Sequence, residues 1–89
     1  MYFEWDESKN QANIKKHRLS FKTASIAFYD PKALYKFDRN VDGEIRQHVI
    51  GKIDNIILAL VVYTKRTGKI RVISARKANR KEREQYHGK

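Results

Sequence analysis

The 89-residue chain contains no cysteine, which removes disulfides, thiol nucleophiles and every cysteine-based zinc site. It has one proline and four glycines, and no flexible linker, repeat or low-complexity tract divides it. No window approaches the ~18 uncharged apolar residues of a membrane span. The opening Met1-Tyr2-Phe3-Glu4-Trp5-Asp6 has neither the basic nor the apolar region of a signal peptide. The expected location is the cytoplasm, with no membrane partner. HExxH, GxSxG and a phosphate-binding glycine loop are all missing, so metal, acyl-enzyme and ATP chemistry have no motif. Asp38–Gly43 matches the first half of a calcium loop, but Val49 stands at the twelfth position, where a bidentate Glu is needed. Neither a metal nor a cofactor is expected.

Acidic charge is also scarce. Ten Asp and Glu face 20 Lys and Arg, a net charge of +10. The excess is uneven: residues 1–45 hold 8 basic and 7 acidic side chains, residues 46–89 hold 12 and 3. Clustered cations gain affinity for polyanions by releasing counterions, so nucleic acid or an acidic protein is the first partner class. The plainer alternative is a solvated basic surface. At 89 residues the chain is one domain, 1–89, that removes about 60–65% of its unfolded surface from water.

Tyr2–Trp5 reads as a short strand, and Asp6 as the N-cap of a helix over roughly 7–17. That helix is polar, with Ala12 and Ile14 its only aliphatic residues. Ser20 caps a second helix, whose Phe21, Ala24, Ser25 and Phe28 form a narrow stripe; Pro31 ends it. From Ala33 the period becomes two, giving a strand of about six residues, then a polar turn over 38–43 and a strand over Glu44–Ile50. Asp54-Asn55 makes another turn. Ile56–Val62 is apolar on both faces and reads as the central strand. Thr67-Gly68 is a two-residue hairpin turn leading into Lys69–Ala75. Asn79 begins a short last helix, with Glu82 at capping-box spacing. The expected fold is α+β: an antiparallel sheet of about four strands, two N-terminal helices packed on one face, and a short C-terminal helix.

A two-residue turn at Thr67-Gly68 sets Arg66 opposite Lys69, Thr64 opposite Arg71 and Val62 opposite Ile73, all on one face. Like charges directly opposite each other cost stability, so Arg66 and Lys69 mark either a working site or a loop tip splayed into water. Glu44, Arg46 and His48 share a face of the preceding strand. A carboxylate, a guanidinium and an imidazole are the parts of metal-free phosphodiester cleavage: a base for the 2′-hydroxyl, cations for the phosphorane and an acid for the leaving oxygen. An ordinary solvated strand face has the same alternation. Lys15, Lys16, His17 and Arg18 close the first helix, either complementing its dipole or offering phosphate contacts and, in His17, a proton carrier. Arg76, Arg80 and Arg83 make the last segment a basic helix start, which either grips a polyanion or frays as a charged terminus.

Together these residues resemble a known family. Phe3-Glu4-Trp5-Asp6-Glu7, Lys9, Asn13, Lys16-His17 and Ser20-Phe21 are similar to the "FEWDExK…N…KHgvSF" opening of BrnT ribonuclease toxins. Phe28-Tyr29-Asp30-Pro31, Gly43-Glu44-Ile45-Arg46 and Ile50-Gly51 match further family positions. So does the tail from Ile70 to Ala78 with Arg80, Glu82-Arg83 and Tyr86. The resemblance spans essentially the whole chain. It implies a RelE-like fold, metal-independent RNA cleavage, and a toxin–antitoxin hetero-oligomer with a cognate, BrnA-like, DNA-binding repressor. It places the active surface on Lys16, Glu44, Arg46, Thr64 and Arg66. The residue pattern adds His17 as an expected catalytic proton carrier and Lys15, Lys69, Arg71, Arg76, Arg80 and Arg83 as expected RNA contacts. Arg18 stands where the family carries Gly, so a differently shaped helix end is expected there. A non-catalytic nucleic-acid-binding or protein-interaction module is the alternative reading.

Overall fold

The chain runs β1 (Phe3–Glu4), α1 (Glu7–His17), α2 (Phe21–Ala24), β2 (Leu34–Val41), β3 (Glu44–Lys52), β4 (Leu58–Arg66), β5 (Lys69–Lys77) and α3 (Arg80–Gly88), with a 3₁₀ turn over Ser25–Tyr29. This computed structural model describes residues 1–88, without the side chains of Asp38 and Arg39; Lys89 lies outside the described residues. The strands form one sheet in the order β1-β5-β4-β3-β2. β2 to β5 are antiparallel neighbours and β1 is parallel to β5. The sheet is therefore five-stranded and mixed rather than four-stranded and antiparallel. A two-residue strand shows no period, and its partner lies far along the chain.

Helix α1 attaches through amides instead of an apolar stripe. Its Asp6 cap accepts from the Ser8 and Lys9 N–H groups, and its buried residues are Asn10 and Asn13. The Asn13 amide donates to the carbonyls of Leu19 and Ala75 and accepts from the Ala75 N–H. Asn10 accepts from the Phe21 N–H. The edge of β5 that β1 leaves free is thus satisfied by a side chain, which protects it from stray strand pairing. At the helix end Arg18 adopts the left-handed conformation, φ 55°. The arginine thus takes a backbone geometry that glycine adopts at least cost.

Ser20 caps α2 by accepting from the Thr23 N–H. The helix tightens into the 3₁₀ turn at Ser25, earlier than its apolar spacing suggests. Phe21, Ala24, Ala27 and Phe28 pack there on Val49, Ala59, Val61, Tyr63, Val72 and Ala75. At Gly51 a Cβ would stand 2.5 Å from the Ala27 carbonyl oxygen, so only glycine lets the turn sit this close. On the opposite sheet face Ile50, Leu58, Leu60, Ala78 and Tyr86 form a second cluster under α3. The Asn79/Glu82 capping box starts that helix. Tyr86 donates to the Asp30 carboxylate at 2.6 Å and ties α3 to the turn before Pro31. β4 is covered on both faces over Leu58–Val61, but Ile56, expected within this apolar strand, precedes it and is 90% exposed.

Two turns govern the strand ends. The Thr67-Gly68 hairpin pairs Arg66 with Lys69 and Thr64 with Arg71, but a bulge after Val62 places Val62 opposite Ser74 rather than Ile73. The β2–β3 turn is Asp42-Gly43, both with positive φ, so the polar residues 38–41 belong to a strand, not to a turn. Positive φ at both central positions is the hairpin geometry that Asp-Gly favours.

Candidate active site

Strand alternation assembles the polar cluster on the α3 face of the sheet, at the end which that helix leaves open. Arg46 of β3 lies opposite Thr64 of β4, Thr64 opposite Arg71 of β5, and Arg71 opposite Glu4 of β1. One step towards the hairpin ends, Arg66 Nη2 meets Glu44 Oε2 at 2.9 Å, both side chains about half exposed. Arg71 and Lys69 turn the other way, to Glu4 at 3.4 and 3.9 Å. The like-charge pair Arg66/Lys69 is thereby drawn apart by two carboxylates. Glu4 was not singled out from the sequence, because β1 is too short for its strand face to be read.

Arg46 lies in the middle of this row. Its Nε is buried and has no hydrogen-bond partner among the described residues. A guanidinium N–H withdrawn from water without an acceptor costs about 1–3 kcal/mol, and an anionic oxygen would relieve it. Thr64 differs from its neighbours: it is 2% exposed and its hydroxyl donates to the Ile45 carbonyl at 3.0 Å. It fastens β4 to β3 beneath Arg46 and has little surface to offer a substrate.

The remaining expected residues are dispersed. Arg76 forms a bidentate pair with Glu82, at 2.8 and 2.9 Å. Burial alone would raise the Glu82 carboxyl, but the Arg76 bonds, the Asn79 N–H and the charges of Arg76 and His48 hold it below the usual range. Arg80 pairs with Glu84, and Arg83 donates to the Ala78 carbonyl. His48 lines a cleft of about 210 Å³ beneath α3 with Lys36, Glu82 and Gln85. Lys15, Lys16 and His17 lie up to one turn past Asn13, which is fixed to Ala75. Ala75 is four residues along β5 from Arg71, roughly 13 Å, so this basic group is not brought to Arg46 and Arg66. Among the described residues no three His, Cys, Asp or Glu side chains are grouped to hold a metal ion. No helix there is long and apolar enough to cross a membrane.

A small, strongly basic α+β domain with guanidinium groups and a carboxylate at one sheet end is equipped to bind a polyanion. A family model described as "Ribonuclease toxin, BrnT, of type II toxin-antitoxin system" matches residues 5–82, and the chain belongs to that family. The fold is similar to the crystal structure of the Brucella abortus ribonuclease toxin, BrnT, with a TM-score of 0.71 and 30% sequence identity. That match covers 90% of this chain and 99% of the Brucella chain. No curated protein sequence matches.

Proposed function

We propose that the protein cleaves RNA without a bound metal ion, at the Glu44, Arg46, Arg66 end of the sheet. The observation that carries this reading is the juxtaposition of the Glu44–Arg66 pair with the buried, unpartnered Arg46 Nε. Arg46 and Arg66 hold the non-bridging oxygens of the scissile phosphate, with Arg71 extending the cationic row. The Glu44 carboxylate takes the proton of the ribose 2′-hydroxyl. That oxygen attacks phosphorus, the P–O5′ bond breaks, and a 2′,3′-cyclic phosphate and a 5′-hydroxyl result. The guanidinium charges stabilise the dianionic phosphorane more than the monoanionic diester, which is what accelerates the step. His48, two residues along β3 on the same face, supplies the proton for the leaving 5′-oxygen. Lys69 binds the strand beside the cleaved bond. Lys15, Lys16, His17, Arg76, Arg80 and Arg83 contact RNA farther from it, and Thr64 keeps Arg46 in place.

The protein works in the cytoplasm, in a hetero-oligomer with a cognate, BrnA-like antitoxin that represses their operon. Its two N-terminal helical segments on one sheet face and cations on the other support kinship with the RelE fold. RNA incubated with the purified protein in EDTA tests the reading. Cleavage of RNA but not DNA is expected, since DNA lacks the attacking hydroxyl. Activity abolished by EDTA and restored by Mg²⁺ would overturn the metal-free mechanism, and binding without cleavage would leave a non-catalytic RNA-binding module.

A further inference from the structure

The sheet face opposite the cation cluster is covered by α1, α2 and the 3₁₀ turn only as far as Tyr63. Beyond that row the strands continue to the hairpin ends with apolar side chains left open. Phe37 is 66% exposed, Tyr35 51% and Ile45 49%, with Met1 and Tyr2 more than half exposed beside them. Two depressions occupy this ground. One of about 350 Å³ is lined by Met1, Phe28, Tyr35, Tyr63, Lys65 and Ile70. The other, about 490 Å³, includes Phe37, Ile45, Gln47 and Lys65. Lys65 is common to both, so together they form one trough across the strand ends, with a cation at its centre. Its floor includes Phe28 and Tyr63, whose rings stand edge to face with centroids 4.8 Å apart.

We infer that this trough is the docking site for an amphipathic, acidic segment of the antitoxin, which seats two large apolar side chains in the depressions and a carboxylate on Lys65. The inference rests on the toxin–antitoxin reading above and adds the surface. Contiguous exposed apolar ground rimmed by charge marks a partner site more often than a free surface. The rim chooses the partner. Arg66 and Lys69 flank Lys65 along a third depression that also holds Met1 and Tyr2. Glu44, the carboxylate at the edge, is already engaged by Arg66. A second copy of this chain would bring another +10 and the same cationic rim, so it is disfavoured. Arg46 and Arg71, the inner phosphate-binding groups, lie on the other face of the sheet and line none of these depressions. Only Arg66 and Lys69 reach the rim, so a phosphate backbone finds fewer partners here than on the opposite face, which disfavours RNA. An acidic protein segment satisfies both the apolar floor and the charged rim.

The test uses full-length toxin with the antitoxin encoded beside it, and two exposed positions outside the catalytic cluster, Phe37→Ser and Ile45→Ser. Each variant should keep the thermal midpoint and cleave RNA within about twofold of wild type. Each should bind antitoxin about thirtyfold or more weakly, the loss typical of a truncated interface anchor, and stay toxic when the antitoxin is co-expressed. The two variants are independent, so one remains informative if the other misfolds. Wild type that binds no antitoxin refutes the toxin–antitoxin reading itself. Wild type that binds while both variants bind equally well overturns only the docking site. Lost RNA cleavage with antitoxin binding intact assigns the trough to RNA, and a wild-type dimer abolished by both variants assigns it to a second copy; either result overturns the proposal.

Discussion

Arg66 and Glu44 meet at 2.9 Å across β3 and β4, a pair about half exposed at the open end of the sheet. An ion pair in such a position contributes only about 0–1 kcal/mol to folding, so its value to the protein lies elsewhere. In the mechanism proposed above, a phosphate displaces the carboxylate from the guanidinium and leaves it to accept a proton.

Replacing Arg66 by alanine is therefore expected to separate activity from stability. RNA cleavage should fall on the order of 10²–10³-fold, the usual loss for one transition-state charge contact. The unfolding free energy should change by less than about 1 kcal/mol. Lys22→Ala, an exposed cation on α2 far from the cluster, should alter neither; small and equal effects of the two substitutions would mean that the basic surface only binds.

Glu44→Gln removes the proposed base and keeps its shape. Single-turnover cleavage should drop about 10²–10⁴-fold, while RNA affinity holds or rises because a negative charge has left the phosphate site. Unimpaired cleavage would assign the base to another residue.

The Tyr86–Asp30 hydrogen bond predicts a stability window in pH. Burial would raise the Asp30 carboxyl, but Tyr86, the Lys52 and Lys32 N–H groups and the Lys52 charge hold it below its ordinary value of 3.8. Its contribution is full above 3.8 and fades as pH falls through the lower folded value. Burial, then the bond to Asp30, pushes Tyr86 up from 10.0 to about 12. That contribution is full below 10.0 and fades as pH rises through about 12. Tyr86→Phe should cost about 1.5–3 kcal/mol near neutrality and shrink the alkaline limb of a stability profile, leaving the limb that Tyr63, also raised to about 12, maintains.

Gly51→Ala should destabilise the fold by about 1–3 kcal/mol. The new Cβ would meet the Ala27 carbonyl oxygen at 2.5 Å and two further Ala27 atoms at 3.1 Å, and backbone yields less readily than a side chain. An unchanged melting temperature would show that the 3₁₀ turn moves aside freely.

Arg18→Gly runs the other way. Relieving a left-handed arginine should add about 0.5–1 kcal/mol after the extra chain entropy of glycine. Thermal denaturation would register that as a rise of roughly 3–6 °C.

Local chemistry made much of this fold readable. Asp6, Ser20 and the Asn79/Glu82 box cap helices as their residue types imply, and the turn at Thr67-Gly68 sets the register that gathers Thr64, Arg66, Lys69 and Arg71. Alternation along their own strand groups Glu44 and Arg46, and the family resemblance joins them to Thr64 and Arg66. What escaped has physical causes. Helix α1 shows no apolar stripe because asparagine amides, not hydrocarbon, bind it to β5 through Asn13 and to the start of α2 through Asn10. The bulge beside Val62 leaves Ile73 of β5 without a partner in the register, and no glycine or proline there announces it. Asp42-Gly43 did carry a hairpin signal, but the polar residues before it masked the strand. Glu4, which draws Arg71 and Lys69 away from Arg66, enters the site through a parallel pairing that joins residues 67 apart in sequence.

That long reach has a bearing on protein synthesis. β5 is where the beginning of the chain is anchored, through Glu4 and Asn13, and both must wait for residues more than 60 positions later. A polypeptide abandoned by the ribosome before Lys69 has no surface for its first strand and helix, and no opposite wall for Arg66. Aborted translation products therefore cannot assemble the complete sheet, and the proposed cleavage site is expected only in finished molecules.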